Sequence, residues 1–112
     1  MKDFYGTPLS ASIPQLDYQN IVTIHNGLND ASEKFEYYTP DSDGIFVLGC
    51  SYVEGSYVYI ADEDFTGNMR LMSGCSGNGS VGQTNGMSLA FKGHRYKGSY
   101  RRGQWFFIPY KQ

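Results

Sequence analysis

The residues with the clearest chemical potential are aspartates that stand two positions apart. Asp62 and Asp64 are followed by a glycine and Asn68, a spacing at which an EF-type loop begins to collect oxygen ligands for calcium. Such a loop closes its coordination shell with a glutamate at the twelfth position, which is Ser73 here. The sequence therefore predicts a solvated turn at this place and no metal site.

A second stretch, Asp41-Ser42-Asp43-Gly44, places its glycine too early for the same calcium scheme, and no further acid follows until Glu54. Aspartate side chains cap backbone N–H groups in tight turns, and a glycine accepts the positive φ that many turns require. We expect a corner in which the aspartates cap the turn and where Gly44 can take φ > 0. The apolar run that follows is then a core strand.

Two histidines and two cysteines could ligate zinc or act in catalysis, but His25, His94, Cys50 and Cys75 stand singly, without the paired spacing of a zinc site. A nucleophile needs a base within reach, and a glycosidase needs two carboxylates beside a cleft. Most acids here lie in turn-like, solvated stretches. We expect no metal, no cofactor and no enzyme activity. The thiols are expected to be buried or half-buried, and a single disulfide stays open.

Residues 94–102 interleave basic and aromatic side chains, which suits base stacking combined with phosphate contacts. A dedicated nucleic-acid binder would be basic overall, whereas the pI of this chain is about 5.5. We therefore expect no nucleic-acid partner. Exposed tyrosines beside Asn and Asp suit contacts with carbohydrate or protein, and the alternative for each ring is a place in the core or a subunit interface.

Charge is divided between the two halves of the chain. All 11 acids lie in residues 1–64 with only two lysines, a balance of −9, while residues 65–112 hold seven basic residues and no acid. This division is typical of an anionic partner, or of acidic and basic strands that face each other within the fold or across a subunit interface. An acidic half in so small a domain would repel a polyanion, so we favour the second interpretation.

The 112 residues suffice for one domain with one core. The composition, with 10 Tyr, 7 Phe and 14 Gly, favours strands joined by tight turns. Turn signals recur about every 8–12 residues without an amphipathic helical window, which is the pattern of an all-β sandwich or barrel. We predict an irregular arm over 1–20, a head domain over 21–112, no membrane insertion and a long loop over 73–86. Predicted strands are 21–24, 34–38, 45–50, 57–61, 69–73, 87–91, 94–100 and 105–108.

Three segments share an order and spacing with a known family. An aromatic residue precedes a Pro-x-x-Asp-Gly entry to the first core strand at 38–47 (YTPDSDGIFV), an apolar-Lys-Gly turn lies at 89–93 (LAFKG), and the chain ends on an aromatic strand with a proline at 105–112 (WFFIPYKQ). Over 37–112 the chain resembles the C-terminal receptor-binding head domains of bacteriophage tail fibres and tail-tip proteins. One departure is that His94 and Arg95 follow the Lys-Gly turn, where the family often has an acid.

The resemblance implies a jelly-roll-like antiparallel β-sandwich, a homotrimer displayed on the virion, and attachment to a host-surface glycan or protein without enzymatic activity. The N-terminal segment would contact other tail proteins, and the trimer would bury the second apolar face of strands 45–50 and 105–108. The alternative is a non-viral carbohydrate- or protein-binding sandwich at an extracellular surface, such as a lectin or a trimeric adhesin or cytokine-like head. Receptor contacts are expected from loops 50–57, 62–68 and 74–86. The candidate residues are Tyr52, Glu54, Tyr57, Asp62, Asp64, Asn68, Asn78, Asn85 and Tyr96.

Overall fold

A computed structural model describes residues 14–65, 71–80 and 84–112 of the chain. A 3₁₀ helix at Tyr18–Asn20 precedes the strands, and among the described residues no helix has the length and hydropathy needed to cross a membrane. The eight strands are β1 (Val22–Asn26), β2 (Lys34–Tyr38), β3 (Gly44–Cys50), β4 (Tyr57–Asp62), β5 (Leu71–Ser76), β6 (Asn85–Ala90), β7 (Tyr96–Arg101) and β8 (Gly103–Pro109).

These strands form two four-stranded antiparallel sheets. Sheet I has the order β1-β8-β3-β6 and sheet II the order β2-β7-β4-β5, so every connection except β4–β5 crosses from one sheet to the other. This strand order is that of an eight-stranded jelly roll, in which two Greek keys close into a sandwich. The predicted jelly-roll-like β-sandwich is confirmed.

The core lies between the sheets and is built mostly of rings. Every second residue of β3 and β8 points inward, as the strand period of two requires. The Phe46 ring lies 4.7 Å from the Tyr96 ring and 5.2 Å from the Trp105 ring, measured between centroids, in edge-to-face geometry. Such pairs add stability beyond the apolar area that they bury. Contacts between these aromatic rings thus hold the two sheets together.

Gly98 in β7 is a point of close approach between the sheets. A Cβ atom at this position would lie 2.6 Å from the Trp105 ring and 3.1 Å from Ile60. The pairing of β7 with β2 and β4 runs through Gly98 without a register shift, so the glycine marks close packing and not a bulge.

The corner before β3 is held differently from the expectation. Asp43 accepts a hydrogen bond from the Lys92 N–H at 2.8 Å, so it caps the distant β6–β7 turn and not its own. Positive φ among the glycines is found at Gly55, Gly79 and Gly93, not at Gly44. A Cβ on Gly44 would lie only 2.2 Å from the Ile108 carbonyl oxygen, so close strand packing requires this glycine. The prediction of positive φ at Gly44 is therefore wrong.

The loop predicted over 73–86 is shorter in the structure, because β5 continues to Ser76 and β6 begins at Asn85. Glycines inside these strands pack where a larger side chain would clash. A Cβ on Gly74 would meet the Tyr59 ring at 2.5 Å, and one on Gly86 would lie 3.2 Å from the Gly74 carbonyl oxygen. The glycines are present because neighbouring strands and rings pack closely against them. From the sequence alone, the same glycines suggest a loop, so the predicted loop is too long.

The described part of the predicted arm, residues 14–20, runs alongside the end of the chain. Leu16 forms a β-bridge with Tyr110, and the Asp17 N–H donates to the Pro109 carbonyl at 2.8 Å. Residues 1–13 lie outside the described residues. The division of the chain into arm and head stays a prediction.

Candidate functional site

The predicted receptor residues do not form one group, because the loops that carry them leave opposite ends of the sandwich. At one end, loops 51–56 and 77–80 lie together: the Gly79 N–H donates to the Tyr52 carbonyl at 2.7 Å. Tyr52 is 63% exposed, and Glu54 and Asn78 are exposed beside it. An open groove at this end is lined by Leu28, Asn29, Cys50, Ser51, Tyr52 and Thr84. This end of the molecule, which we call the loop end, keeps three of the nine predicted residues accessible.

At the opposite end, two of the predicted residues are buried. Asp62 is only 3% exposed, and its carboxylate accepts from the Asp64 N–H at 2.9 Å and pairs with His94 Nδ1 at 2.8 Å. The Tyr96 ring is fully buried, and its hydroxyl accepts from the Phe91 N–H at 2.8 Å. The assignment of Asp62 and Tyr96 as receptor contacts is corrected, because both side chains face the interior.

The remaining predicted residues are scattered. Asp64 is exposed near Asp62, while Tyr57 lies half-buried on the outer face of sheet II. Asn85 is exposed on the outer face of sheet I, and Asn68 lies outside the described residues. The sequence does signal the burial of Tyr96: its strand alternates Tyr, Gly and Tyr with Lys, Ser and Arg, and the aromatic set of such a pattern faces the core.

The Asp62, Asp64 and His94 side chains are the group that the described residues offer to a cation, with ligand atoms within 4.8 Å of one another. Hydrogen bonds within the protein already use these atoms, since Asp64 also accepts from the Arg95 N–H at 2.8 Å. The hydrogen bond to Asp62, with smaller contributions from Asp64 and Asp43, raises the pKa of His94 above its usual value. The group is best described as a brace that holds the β6–β7 turn against the end of β4.

A second polar cluster lies between the sheets near the other histidine. The His25 ring stacks on Tyr100 with centroids 3.9 Å apart, and the Tyr100 hydroxyl donates to Glu36. The Glu36 carboxylate lies 3.7 Å from His25 Nδ1. Burial, together with the Glu36 partner, raises the pKa of Tyr100. Sequence reasoning missed this cluster because its members come from three strands of two sheets.

Cys50 and Cys75 also meet across the sandwich. Both are free and buried, one in each sheet, and their thiols contact each other. Burial raises both pKa values, that of Cys75 to about 12. Burial thus disfavours the thiolate form of both side chains, which matches the expectation of buried or half-buried thiols.

None of the described outward side chains of sheet I is charged, and beyond the polar row of Asn26, Gln104 and Asn85 this outer face is mostly apolar. Strand register places Thr23, Phe106, Val47 and Met87 in one cross-strand row. Ile108, Ile45 and Leu89 form the next row. Met87 is 65% exposed and Leu89 is 52% exposed. We call these seven residues, with Ile21 at the edge, the uncharged face.

Shallow grooves cross the uncharged face. One is lined by Ile21, Thr23, Val47, Phe106 and Ile108. Another is lined by Leu16, Tyr18, Ile45, Val47, Asn85, Gly86, Met87 and Ile108. The segment that leads into β1 therefore runs beside the same apolar surface.

The outer face of sheet II has a different chemistry. Its exposed rings come from β2 and β4, and its cations come from β7 and the residue before it. Arg95 lies over the Tyr37 ring at 3.8 Å and Lys97 over the Phe35 ring at 4.7 Å, measured to the ring centroids. We call this surface the aromatic–basic face; its members are Phe35, Tyr37, Tyr57, Tyr59, Arg95, Lys97 and Arg101.

Some basic residues of the second half of the chain lie beside acidic residues of the first half in the folded structure. The basic strand β7 lies between β2 and β4, which come from the acidic half. Arg101 forms an ion pair with Glu33 at 2.9 Å, and His94 pairs with Asp62. This arrangement agrees with the interpretation that acidic and basic segments face each other.

Comparisons with known proteins add nothing to this geometry. A comparison with protein-family models, with curated proteins and with solved structures finds no significant match to the chain.

Proposed function

We propose that the protein is a homotrimeric receptor-binding head of a phage tail fibre or tail tip, which attaches the virion to a host-surface glycan or protein. The observation that carries the proposal is the contrast between the two outer faces of the sandwich. One face has the composition of a surface buried between subunits. The other keeps rings and cations in solvent, where a receptor can reach them.

The uncharged face supports assembly from copies of this chain. Met87 and Leu89 on this face are more than half exposed, although Ile45 and Ile108 between the strands are nearly buried. The interfaces of homo-oligomers are more apolar than other protein surfaces. Leu16 and Tyr18 line a groove on the same face. Assembly through this face therefore brings the leading segments of all copies together, as a shared stem requires.

In such a trimer, the receptor would bind to surfaces that face away from the axis shared by the subunits. The loop end presents Tyr52, Glu54 and Asn78. The aromatic–basic face presents flat rings, which bury a large contact area at a low cost in side-chain entropy. A trimer multiplies each weak contact, because linked sites bind with a high effective concentration.

The mass in solution tests the assembly. Light scattering over a dilution series from tens of micromolar to below one micromolar is expected to give three times the chain mass of 12.6 kDa. A monomer at tens of micromolar rejects the proposed head.

Adsorption tests the attachment. The trimer is expected to bind envelope preparations from some members of a bacterial panel, and free envelope polysaccharide from the same strain is expected to compete. Binding to animal-cell glycans alone, with no bacterial envelope bound, would instead favour the non-viral lectin or adhesin.

A further inference from the structure

We propose that the aromatic–basic face is the binding site for a short acidic oligosaccharide, whose sugar rings rest on the aromatic side chains while a carboxylate or phosphate meets the cations. This inference rests on the proposed function, because it names the class of receptor and the surface that contacts it. It moves the expected site from the loops to the outer face of sheet II.

The rings form an exposed platform across three strands. Phe35 is 60% exposed, Tyr37 42% and Tyr59 43%. Tyr57 stacks beside Tyr59, with centroids 5.2 Å apart and planes within 20°. Register aligns Phe35, Ser99 and Tyr59 in one cross-strand row, with a small serine between the two rings. The Phe35 and Tyr37 rings meet edge to face, with planes 83° apart, and carry the cations, whereas the stacked Tyr57 and Tyr59 rings offer an apolar surface to the CH-rich faces of sugars.

The cations on this face are held in place before any ligand binds. Arg95 and Lys97 rest on the Tyr37 and Phe35 rings, and cation–π attraction restricts both long side chains. Within the described residues, the carboxylate ion pair on this face belongs to Arg101, which pairs with Glu33 at 2.9 Å. The positive charges of Arg95 and Lys97 can therefore pair with an anionic group of a ligand. Because both side chains are already held in place, the entropic cost of binding that group is lower.

The surroundings favour a short acidic glycan over a nucleic acid. Acids flank the face at both ends, with Glu33 beside Arg101 and Asp64 bonded to the Arg95 backbone. A nucleic-acid strand carries a phosphate at every residue and would run from the cations into these carboxylates, which repel it. A sugar with one or two acidic groups fits between the acidic ends.

The test is titration calorimetry of the intact trimer with three named probes of similar length. Tetragalacturonate carries carboxylates, maltotetraose carries none, and a short oligothymidylate carries phosphates. We expect tetragalacturonate to bind roughly tenfold or more tightly than maltotetraose, and the oligothymidylate to bind more weakly than tetragalacturonate at 0.15 M salt. Stronger binding of the oligothymidylate, or equal binding of the two sugars, overturns the proposal.

Variants locate the site. Lys97→Gln and Arg95→Gln are each expected to weaken tetragalacturonate binding about five- to tenfold and to leave maltotetraose nearly unchanged. Lys111→Gln, an exposed cation near the chain end and outside the face, is the matched control and is expected to have no effect. An equal loss in Lys111→Gln, or no loss in either face variant, contradicts the assignment to this face.

The outcome separates this inference from the proposed function. If the chain is trimeric and adsorbs to bacterial envelopes but ignores tetragalacturonate, the acidic-glycan site is rejected while the attachment head stands. If the chain is monomeric at tens of micromolar, or adsorbs to no bacterial envelope, the attachment head itself is rejected, whatever the calorimetry shows.

Discussion

The outer faces of sheets I and II are built from the same kind of four-stranded antiparallel sheet, yet their surfaces differ. Strand β3 of sheet I places apolar residues on both sides, with Phe46 and Leu48 inward and Ile45 and Val47 outward. Strand β7 of sheet II alternates strictly, with a buried aromatic set inward and Lys97, Ser99 and Arg101 outward. The inner faces of both sheets pack into one shared core. The difference between the sheets therefore lies in their outer faces, which we expect to contact different partners.

The largest effect is expected from a charged side chain placed on the uncharged face, because it would remove the difference between the two outer faces. Met87→Glu adds a carboxylate at an exposed position, so the fold of the single chain should be kept. An unpaired charge buried between subunits costs about 3–5 kcal/mol, so if the proposed trimer forms through this face, the variant is expected to be a monomer. Light scattering measures the mass, and circular dichroism checks the fold.

The matched control for Met87→Glu is Ser76→Glu, which adds the same charge at an exposed position of sheet II. It should remain trimeric. Loss of the trimer in both variants, or in neither, would mean that assembly does not use the uncharged face.

The next largest effect concerns the core that both faces share. Gly98→Ala forces a methyl group to within 2.6 Å of the Trp105 ring. Overpacking of this kind costs about 1–3 kcal/mol, so the free energy of unfolding should fall by that amount in urea titration. Ser99→Ala, one residue along and facing outward, should change stability far less. Equal losses in the two variants would show that Gly98 is not the contact between the sheets.

A smaller effect is expected at the brace that joins the β6–β7 turn to β4. A group whose pKa is raised by folding, as that of His94 is, stabilises the fold below its unfolded pKa of about 6.5, and this contribution is lost as pH rises through the folded value. Because 42% of the imidazole is exposed, solvent screening limits the change to less than about 1 kcal/mol.

The variant His94→Gln removes the titrating group from the brace, so the fall in unfolding free energy above about pH 6.5 should become shallower. All other titratable groups are present in both proteins, so the difference between their pH profiles isolates His94. Identical profiles would mean that the brace does not contribute.

The smallest expected effect is that of divalent cations. The carboxylates near His94 are engaged in internal hydrogen bonds, and Asp43 caps the Lys92 N–H. Calcium or EDTA at millimolar concentration should therefore leave Tm unchanged in a thermal melt. A rise in Tm with calcium that EDTA reverses would identify a cation site at one of these corners.

The sequence predicts the eight strands well because β-branched and aromatic runs alternate with turn signals, whereas the jelly-roll arrangement is implied by the family resemblance and not by this pattern. It fails at β5 and β6, where Gly74 and Gly86 lie inside strands. Gly74 packs against the Tyr59 ring and Gly86 against the Gly74 backbone, and no local pattern encodes these contacts.

The candidate site could be predicted only in part, because a strand pattern does not say which face is inward. In β2, the alternation of apolar and polar residues alone predicts that Phe35 and Tyr37 face the core. The structure turns Glu36 and Tyr38 inward, since Tyr100 and His25 accommodate the Glu36 carboxylate. The outward position of the Phe35 and Tyr37 rings thus goes with the contacts that the inward-facing and only partly buried Glu36 makes with Tyr100 and His25.

Hydroxyl-radical footprinting of the protein at tens of micromolar tests the central claim most directly, because it reports the exposure of single side chains in solution. Met87 on the uncharged face is 65% exposed in the single chain, and Tyr59 on the aromatic–basic face is 43% exposed. If copies assemble through the uncharged face, Met87 is protected while Tyr59 is oxidised, and denaturation of the protein restores the labelling of Met87. Rapid oxidation of Met87 at every concentration, or protection of Tyr59 in its place, would contradict the account.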